Sequence, residues 1–102
     1  MKVGDKDIAL DKDGFMIDPE VWNDAVARAI AMDEGIEAMT EEHWKVVNFI
    51  REYWKKTGLA PAVRPMCQEL NVNVRQIYKL FTSGPARGAC RVAGLPKPDG
   101  CV

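Results

Sequence analysis

Residues 66–81 read MCQELNVNVRQIYKLF, and this run decides the fold. It divides into a helix over roughly residues 63–70 and a second over roughly residues 74–81, joined by a tight turn. Leu70, Val72, Ile77 and Leu80 stand where they lock two such helices together, which makes a helix-turn-helix-like pair. Asn73 is a natural N-cap for the second helix, and Ser83-Gly84 closes it. Pro65 is tolerable because it falls in the first turn of the first helix. Upstream, Thr40 caps a longer helix that opens with Glu41 and Glu42. Trp44, Val47, Ile50 and Trp54 recur at helical spacing, flanked by Val46, Phe49 and Tyr53. Lys55 and Lys56 complement the negative end of the dipole and Gly58 ends the helix. Apolar around much of its circumference, it should be the central helix.

Nearer the start, Asp18-Pro19-Glu20 is a helix opening, predicting a helix over residues 19–32 with Val21, Trp22, Ala25, Val26, Ala29 and Ile30 on one face. Before it, Ile8-Ala9-Leu10 and Phe15-Met16-Ile17 flank Asp11-Lys12-Asp13-Gly14, the signature of a β-hairpin within about residues 2–17. The expected fold class is therefore mainly α: a small helical domain with a helix-turn-helix-like pair, an N-terminal β-hairpin and a mobile C-terminal arm. Residues 1–84 form the expected body and residues 85–102 the arm. At 102 residues and 47% hydrophobic composition the chain suits one small core. Its charged start lacks the apolar stretch of a signal peptide, and no uncharged run is long enough to span a bilayer. A cytoplasmic location is expected.

The net charge of −1 conceals an asymmetry. Residues 1–42 carry four basic and twelve acidic side chains, and residues 43–102 carry ten basic and three acidic. The basic part can steer an anionic ligand or an acidic partner toward it.

From Gly84 the chain reads GPARGACRVAGLPKPDGCV, with four of the eight glycines, three of the six prolines and two of the three cysteines. Pro85 can open a short helix through about Val92. Beyond Gly94, Leu95-Pro96-Lys97-Pro98-Asp99-Gly100 sustains neither a helix nor a central strand. Cys101 is therefore read as a thiol on a tether, with Cys90 eleven positions earlier. An extended segment of that length spans up to ~36–40 Å. Turning back, it can instead bring the two sulfurs into bonding distance. Arg87, Arg91 and Lys97 favour a thiolate, whereas the carboxylate of Val102 opposes one. Cys67, on a helix among apolar neighbours, reads as a packed hydrophobe.

Three widely separated cysteines and a single histidine, His43, do not make a zinc site, and His43 itself reads as a packed or solvated side chain. No phosphate loop, nucleophile elbow or carboxylate pair points to an autonomous enzyme. Asn73, Arg75, Gln76 and Lys79 line the exposed side of the second helix of the pair, where DNA contacts would lie. The pI of about 5.8 and the acidic N-terminal part weigh against that role.

The ending from Gly84 to Val102, with both cysteines and the intervening Gly94-Leu95-Pro96-Lys97-Pro98, resembles the C-terminal arm of the DsrC family. That family comprises the gamma subunit of dissimilatory sulfite reductase and the tRNA-thiolation relay protein TusE. The Gly14-Phe15 hairpin, the helix holding Trp44, Arg64-Pro65 and Gln76-Ile77-Tyr78 also fit, so the resemblance spans the chain. It implies a sulfur carrier with no cofactor of its own. Cys101 would take up sulfur at the sirohaem of the reductase, formed by its alpha and beta subunits, and Cys90 would close on it as a trisulfide or disulfide. A membrane-associated reductase would then release the sulfur; in sulfur oxidisers flow would reverse, with a sulfur-transfer protein as donor. Relay members of the family carry only the cysteine matching Cys101, so Cys90 favours the reductase partner. Closing a loop of this size costs ~3 kcal/mol of chain entropy, which suits an exchangeable link. Arg87, Arg91 and Lys97 would guide the arm into an anion-binding cavity.

Overall fold

The computed structural model describes residues 2–96, and of residues 85–87 the backbone alone. In chain order it contains an antiparallel pair, β1 (Lys2–Val3) and β2 (Lys6–Asp7), and a 3-10 turn at Pro19–Val21. These are followed by α1 (Asp24–Asp33), α2 (Glu41–Thr57), α3 (Val63–Leu70), α4 (Val74–Leu80) and a π-helix at Pro85–Cys90. The mainly helical class and the α3–α4 pair are as the sequence predicts.

Local chemistry sets the boundaries. The Thr40 side chain caps α2 by accepting from the His43 amide, while the Thr40 amide donates to His43 Nδ1 at 3.0 Å. With Nδ1 accepting, Nε2 carries the proton and donates to the Leu80 carbonyl at 3.0 Å. The single histidine is thus a packed group joining the start of α2 to the end of α4. Gly58 (φ +74°) ends α2. Asn73 and Gln76 form a reciprocal capping box on α4. After α1 the Gly35 amide bonds to the Met32 carbonyl and the Ile36 amide to that of Ala31, with Gly35 at φ +88°.

Two expectations are corrected. The hairpin is not one ladder over residues 2–17. The turn at Asp11–Gly14 forms, with the Asp11 carboxylate accepting from the amides of Asp13 and Phe15. Only the single bridge Leu10↔Met16 follows it, and the paired strands are β1 and β2. Phe15 and Met16 are adjacent yet both buried, which the two-residue period of a ladder strand forbids, so the segment wraps the core instead. The helix expected over residues 19–32 is also broken. Trp22 is extended, and Asn23 caps α1 anew by accepting from the Val26 amide. Leaving the helix lets the Trp22 indole donate Nε1–H to the Val92 carbonyl at 2.9 Å and lie under the Arg51 guanidinium, 4.2 Å from the ring centre.

The core joins Val26, Ala27 and Ile30 of α1, Val46, Val47 and Ile50 of α2, and Met66, Cys67 and Ile77 of the helix pair. It does not end at residue 84. Ala89, Cys90, Val92, Ala93 and Leu95 are buried in it, and α2 packs on the π-helix. The first part of the expected arm is therefore built into the body. Arg91 holds it there from within: Nε donates to the Gly14 carbonyl at 2.8 Å, Nη2 to Asp33 at 2.9 Å, and Nη1 to Glu34. Ser83 Oγ donates to the other Glu34 oxygen at 2.6 Å. A side chain on Gly14 would strike the Arg91 guanidinium, so that close approach requires glycine.

The Asp33 side chain is 58% exposed and that of Glu34 9%. Water screens the first pair and not the second. Glu34→Ala is expected to destabilise the fold by about 2–3 kcal/mol by leaving the buried Arg91 cation undercompensated, and Asp33→Ala by under about 1 kcal/mol. Urea unfolding followed by circular dichroism reads the difference. Gly94 (φ +75°) leaves no room for a side chain, because a Cβ there would sit 2.1 Å from Trp22 Cδ1. Gly94→Ala should lower the Tm by about 10–20 °C. Gly35→Ala, at φ +88° but facing open space, should lose only the backbone term, about 1 kcal/mol. Thermal melts of the two variants test the contrast.

Candidate functional site

The chain enters its C-terminal segment through Gly84 (φ +90°) and Pro85, the first residue of the π-helix. A π-helical turn is rare and often marks a functional segment. Gly88 lets this turn approach the start of the preceding loop, since a side chain there would meet Phe81 Cβ at 2.9 Å. Cys90, the last residue of the π-helix, is 4% exposed.

A helix end leaves its last carbonyls without helical donors, and buried carbonyls must find others. Here four consecutive ones are satisfied in two ways. The Cys90 carbonyl accepts from the Leu95 amide at 3.2 Å and that of Arg91 from the Gly94 amide at 3.0 Å, closing a local turn. The Val92 carbonyl accepts from Trp22, and that of Ala93 from Arg51 Nη1 at 2.7 Å. Arg51 Nη2 also donates to the Pro19 carbonyl at 3.3 Å. Burial pushes the Arg51 pKa below its ordinary value, an effect opposed by the charge of Glu20. The guanidinium lies over the Trp22 ring at 4.2 Å and the Trp54 ring at 6.0 Å from their centres, a cation in contact range of two aromatic rings.

These contacts locate the residues named from the sequence. Cys90 lies in the core at the foot of the segment. Cys67 lies on α3, 7% exposed, as a packed hydrophobe. Arg91 is buried and engaged by Asp33, Glu34 and Gly14, so its cation is turned inward rather than offered to an anion. The Arg87 side chain, Lys97 and Cys101 lie outside the described residues. Sequence reading did not find Trp22 and Arg51 as partners of the segment. The one available signal was a lone cation, Arg51, inside the apolar run from Val46 to Trp54. On the helix pair, Asn73 and Gln76 are engaged with each other as a cap, leaving Arg75 and Lys79 exposed on α4. Half of the expected DNA-contacting set is thus occupied by helix termination. No helix among the described residues is long and apolar enough to cross a membrane.

Comparison with known proteins agrees with this architecture. A family model described as "DsrC like protein" matches residues 2–102. The oxidized gamma-subunit of the dissimilatory sulfite reductase (DsrC) from Archaeoglobus fulgidus superposes with a TM-score of 0.89 at 46% identity, covering 100% of this chain and 98% of that one. The dissimilatory-type sulfite reductase subunit gamma of Nitratidesulfovibrio vulgaris is 39% identical over 97 residues, 95% of this chain and 92% of its own length. The sulfurtransferase TusE of Pectobacterium atrosepticum is 41% identical over 102 residues, 93% of each. With its fold and nearly its whole length matched, the chain belongs to the DsrC family.

Proposed function

We propose that this protein is a sulfur carrier that serves a dissimilatory sulfite reductase, with Cys101 as the sulfur-accepting thiol and Cys90 as the thiol that closes on it. The observation that carries the reading is a cysteine, Cys90, seated at the root of an anchored turn in a chain of this family, with a second cysteine eleven positions on in the sequence. Cys90 is held in the core, and Cys101 follows Leu95, the last buried residue among those described, by six positions. Six residues reach at most ~20 Å, so the body docks close to the partner's site and the tether crosses only the remaining distance.

Chemically, cysteine sulfur suffices and no resident cofactor is required. Sulfur taken up on Cys101 is carried as a persulfide. Closure with Cys90 as a trisulfide requires sulfur delivered two electrons above the persulfide level, as partly reduced sulfite at the reductase provides: that sulfur takes the electron pairs of both thiols, giving the trisulfide and two protons with no further oxidant. Attack of the Cys90 thiol on the Cys101 sulfur of the persulfide instead gives a disulfide and releases sulfide. Lys97 and Arg87 remain the basic groups assigned to guiding the arm. Arg91 is assigned to holding its root. The reductase alpha and beta subunits and a membrane-associated reductase that regenerates the thiols are the expected partners, in the cytoplasm.

The TusE likeness supports a relay of persulfide toward tRNA as the second reading, and the presence of Cys90 favours the first. Intact-mass spectrometry with thiol alkylation, after turnover with sulfite reductase, sulfite and limiting electrons, separates them. The carrier reading expects a product one sulfur atom heavier than the disulfide form, mapped to a linked Cys90–Cys101 peptide. Cys101→Ser should abolish it, and Cys90→Ser should leave sulfur on Cys101 without the link. Unmodified thiols beside an active reductase would overturn the reading in favour of a persulfide relay.

A further inference from the structure

We propose that Arg51 is a positioning residue for Cys90: its grip on the Ala93 carbonyl holds the turn over residues 90–95 shut and so sets how often the Cys90 thiol leaves the core. The geometry stands on the contacts alone; its use in closing on Cys101 rests on the sulfur-carrier reading.

Cys90 is 4% exposed, so no reagent or partner sulfur reaches it while the turn is closed. The turn's own bonds, Leu95 to Cys90 and Gly94 to Arg91, are local and hold only while the segment stays seated. Seating comes from outside. Arg91 is fixed by Asp33, Glu34 and Gly14, one side of the turn. On the far side, Ala93 is held by Arg51 at 2.7 Å, and Val92 by Trp22, whose ring stacks on that same guanidinium.

Arg51 therefore joins three separate pieces: α2, which carries it; the 3-10 turn, through Pro19; and the C-terminal segment, through Ala93. Trp54, three residues along α2, also lies within 6.0 Å of the guanidinium. Arg51 itself is only partly buried, so replacing it removes the outer clasp and leaves the apolar core beneath intact. Local opening of this kind exposes one segment without global unfolding.

Cys67 supplies an internal reference, since it is 7% exposed on a different element, α3. A residue that only adds global stability alters both thiols together, because each then reacts through the unfolded state. A residue that positions the turn alters Cys90 alone.

The test is alkylation of the full chain in a Cys101→Ser background, well below the Tm, with each cysteine followed by peptide mass. For Arg51→Gln we expect Cys90 to react about tenfold faster, the factor that one charge-assisted hydrogen bond is worth, with the Cys67 rate unchanged. Arg51→Lys retains the cation but not the two-pronged donor and should fall between Gln and wild type. Trp22→Phe keeps an apolar ring while freeing the Val92 carbonyl. It should move Cys90 in the same direction as a second clasp on the same turn, and Arg51→Lys decides the matter if Arg51→Gln fails to fold. Equal acceleration of Cys67 and Cys90, or of neither, overturns the proposal. Failure of the wild-type chain to accept sulfur would count against the carrier reading while leaving the alkylation result standing.

Discussion

Where the chain leaves its last helical turn, the carbonyls of Val92 and Ala93 point away from any helical donor, and the rest of the structure is arranged to supply them. An unpaired buried carbonyl costs about 1–3 kcal/mol. The donors come from residues far away in sequence, the Trp22 indole and the Arg51 guanidinium. These donors also stack on each other. One requirement of backbone chemistry thereby binds the N-terminal 3-10 turn, α2 and the C-terminal segment into a single unit. It also explains two oddities of the sequence: a tryptophan that interrupts a helix, and an arginine within an apolar helical run. Gly94 completes the arrangement, because the Trp22 ring occupies the space a side chain would need.

The charge asymmetry of the chain acquires a second meaning from Arg91. Four basic and twelve acidic residues precede position 43, and ten basic and three acidic follow. Part of that opposition is satisfied internally, since Arg91 from the basic part is enclosed by Asp33 and Glu34 from the acidic part. Breaking such a pair by removing one partner costs more than the pair contributes over an apolar replacement. What it does in the fold is tie the Gly14 carbonyl and the end of α1 to Arg91, the residue that follows Cys90. An arginine one residue from a cysteine looks in sequence like a thiolate-stabilising group; in the fold it is a tether for the backbone.

What could be read from the sequence follows from how far each signal reaches. Thr40, Gly58, Asn73 and Gly35 mark helix ends through bonds to residues within five positions, and the helices begin and end beside them. The α3–α4 pair was legible for the same reason. The hairpin was only half legible: its Asp-Gly turn is local, but whether strands continue from it depends on Phe15 and Met16 both facing the core. The foot of the C-terminal segment was not legible. Its partners lie 70, 42, 57 and 58 residues away, and no spacing rule connects Trp22 with Val92 or Arg51 with Ala93. Glycine and proline content marked this stretch as a departure from the body, while Ala89, Val92, Ala93 and Leu95 complete the core. Small apolar residues between turn formers suit both a tether and a tightly packed turn, and only tertiary contacts choose between them.

That choice bears on what controls the meeting of Cys90 and Cys101. Treated as a free tether, the loop between them would oppose closure mainly through its length. While the turn is shut and Leu95 is seated, only six of the eleven steps between the cysteines lie beyond the anchor. The length dependence of closure entropy makes that difference worth about 0.5 kcal/mol. Uncovering Cys90 adds a cost of its own, since it means loosening a turn held by charge-assisted bonds of about 1.5–3 kcal/mol each, comparable with the ~3 kcal/mol of the whole closure entropy. On the proposed carrier reading, the packing at the root as well as the length of the tether sets when the two sulfurs meet. A carrier built this way would keep its second thiol out of reach while the first is loaded, and a partner that displaced the Arg51–Ala93 contact on docking would gain control of the closure step.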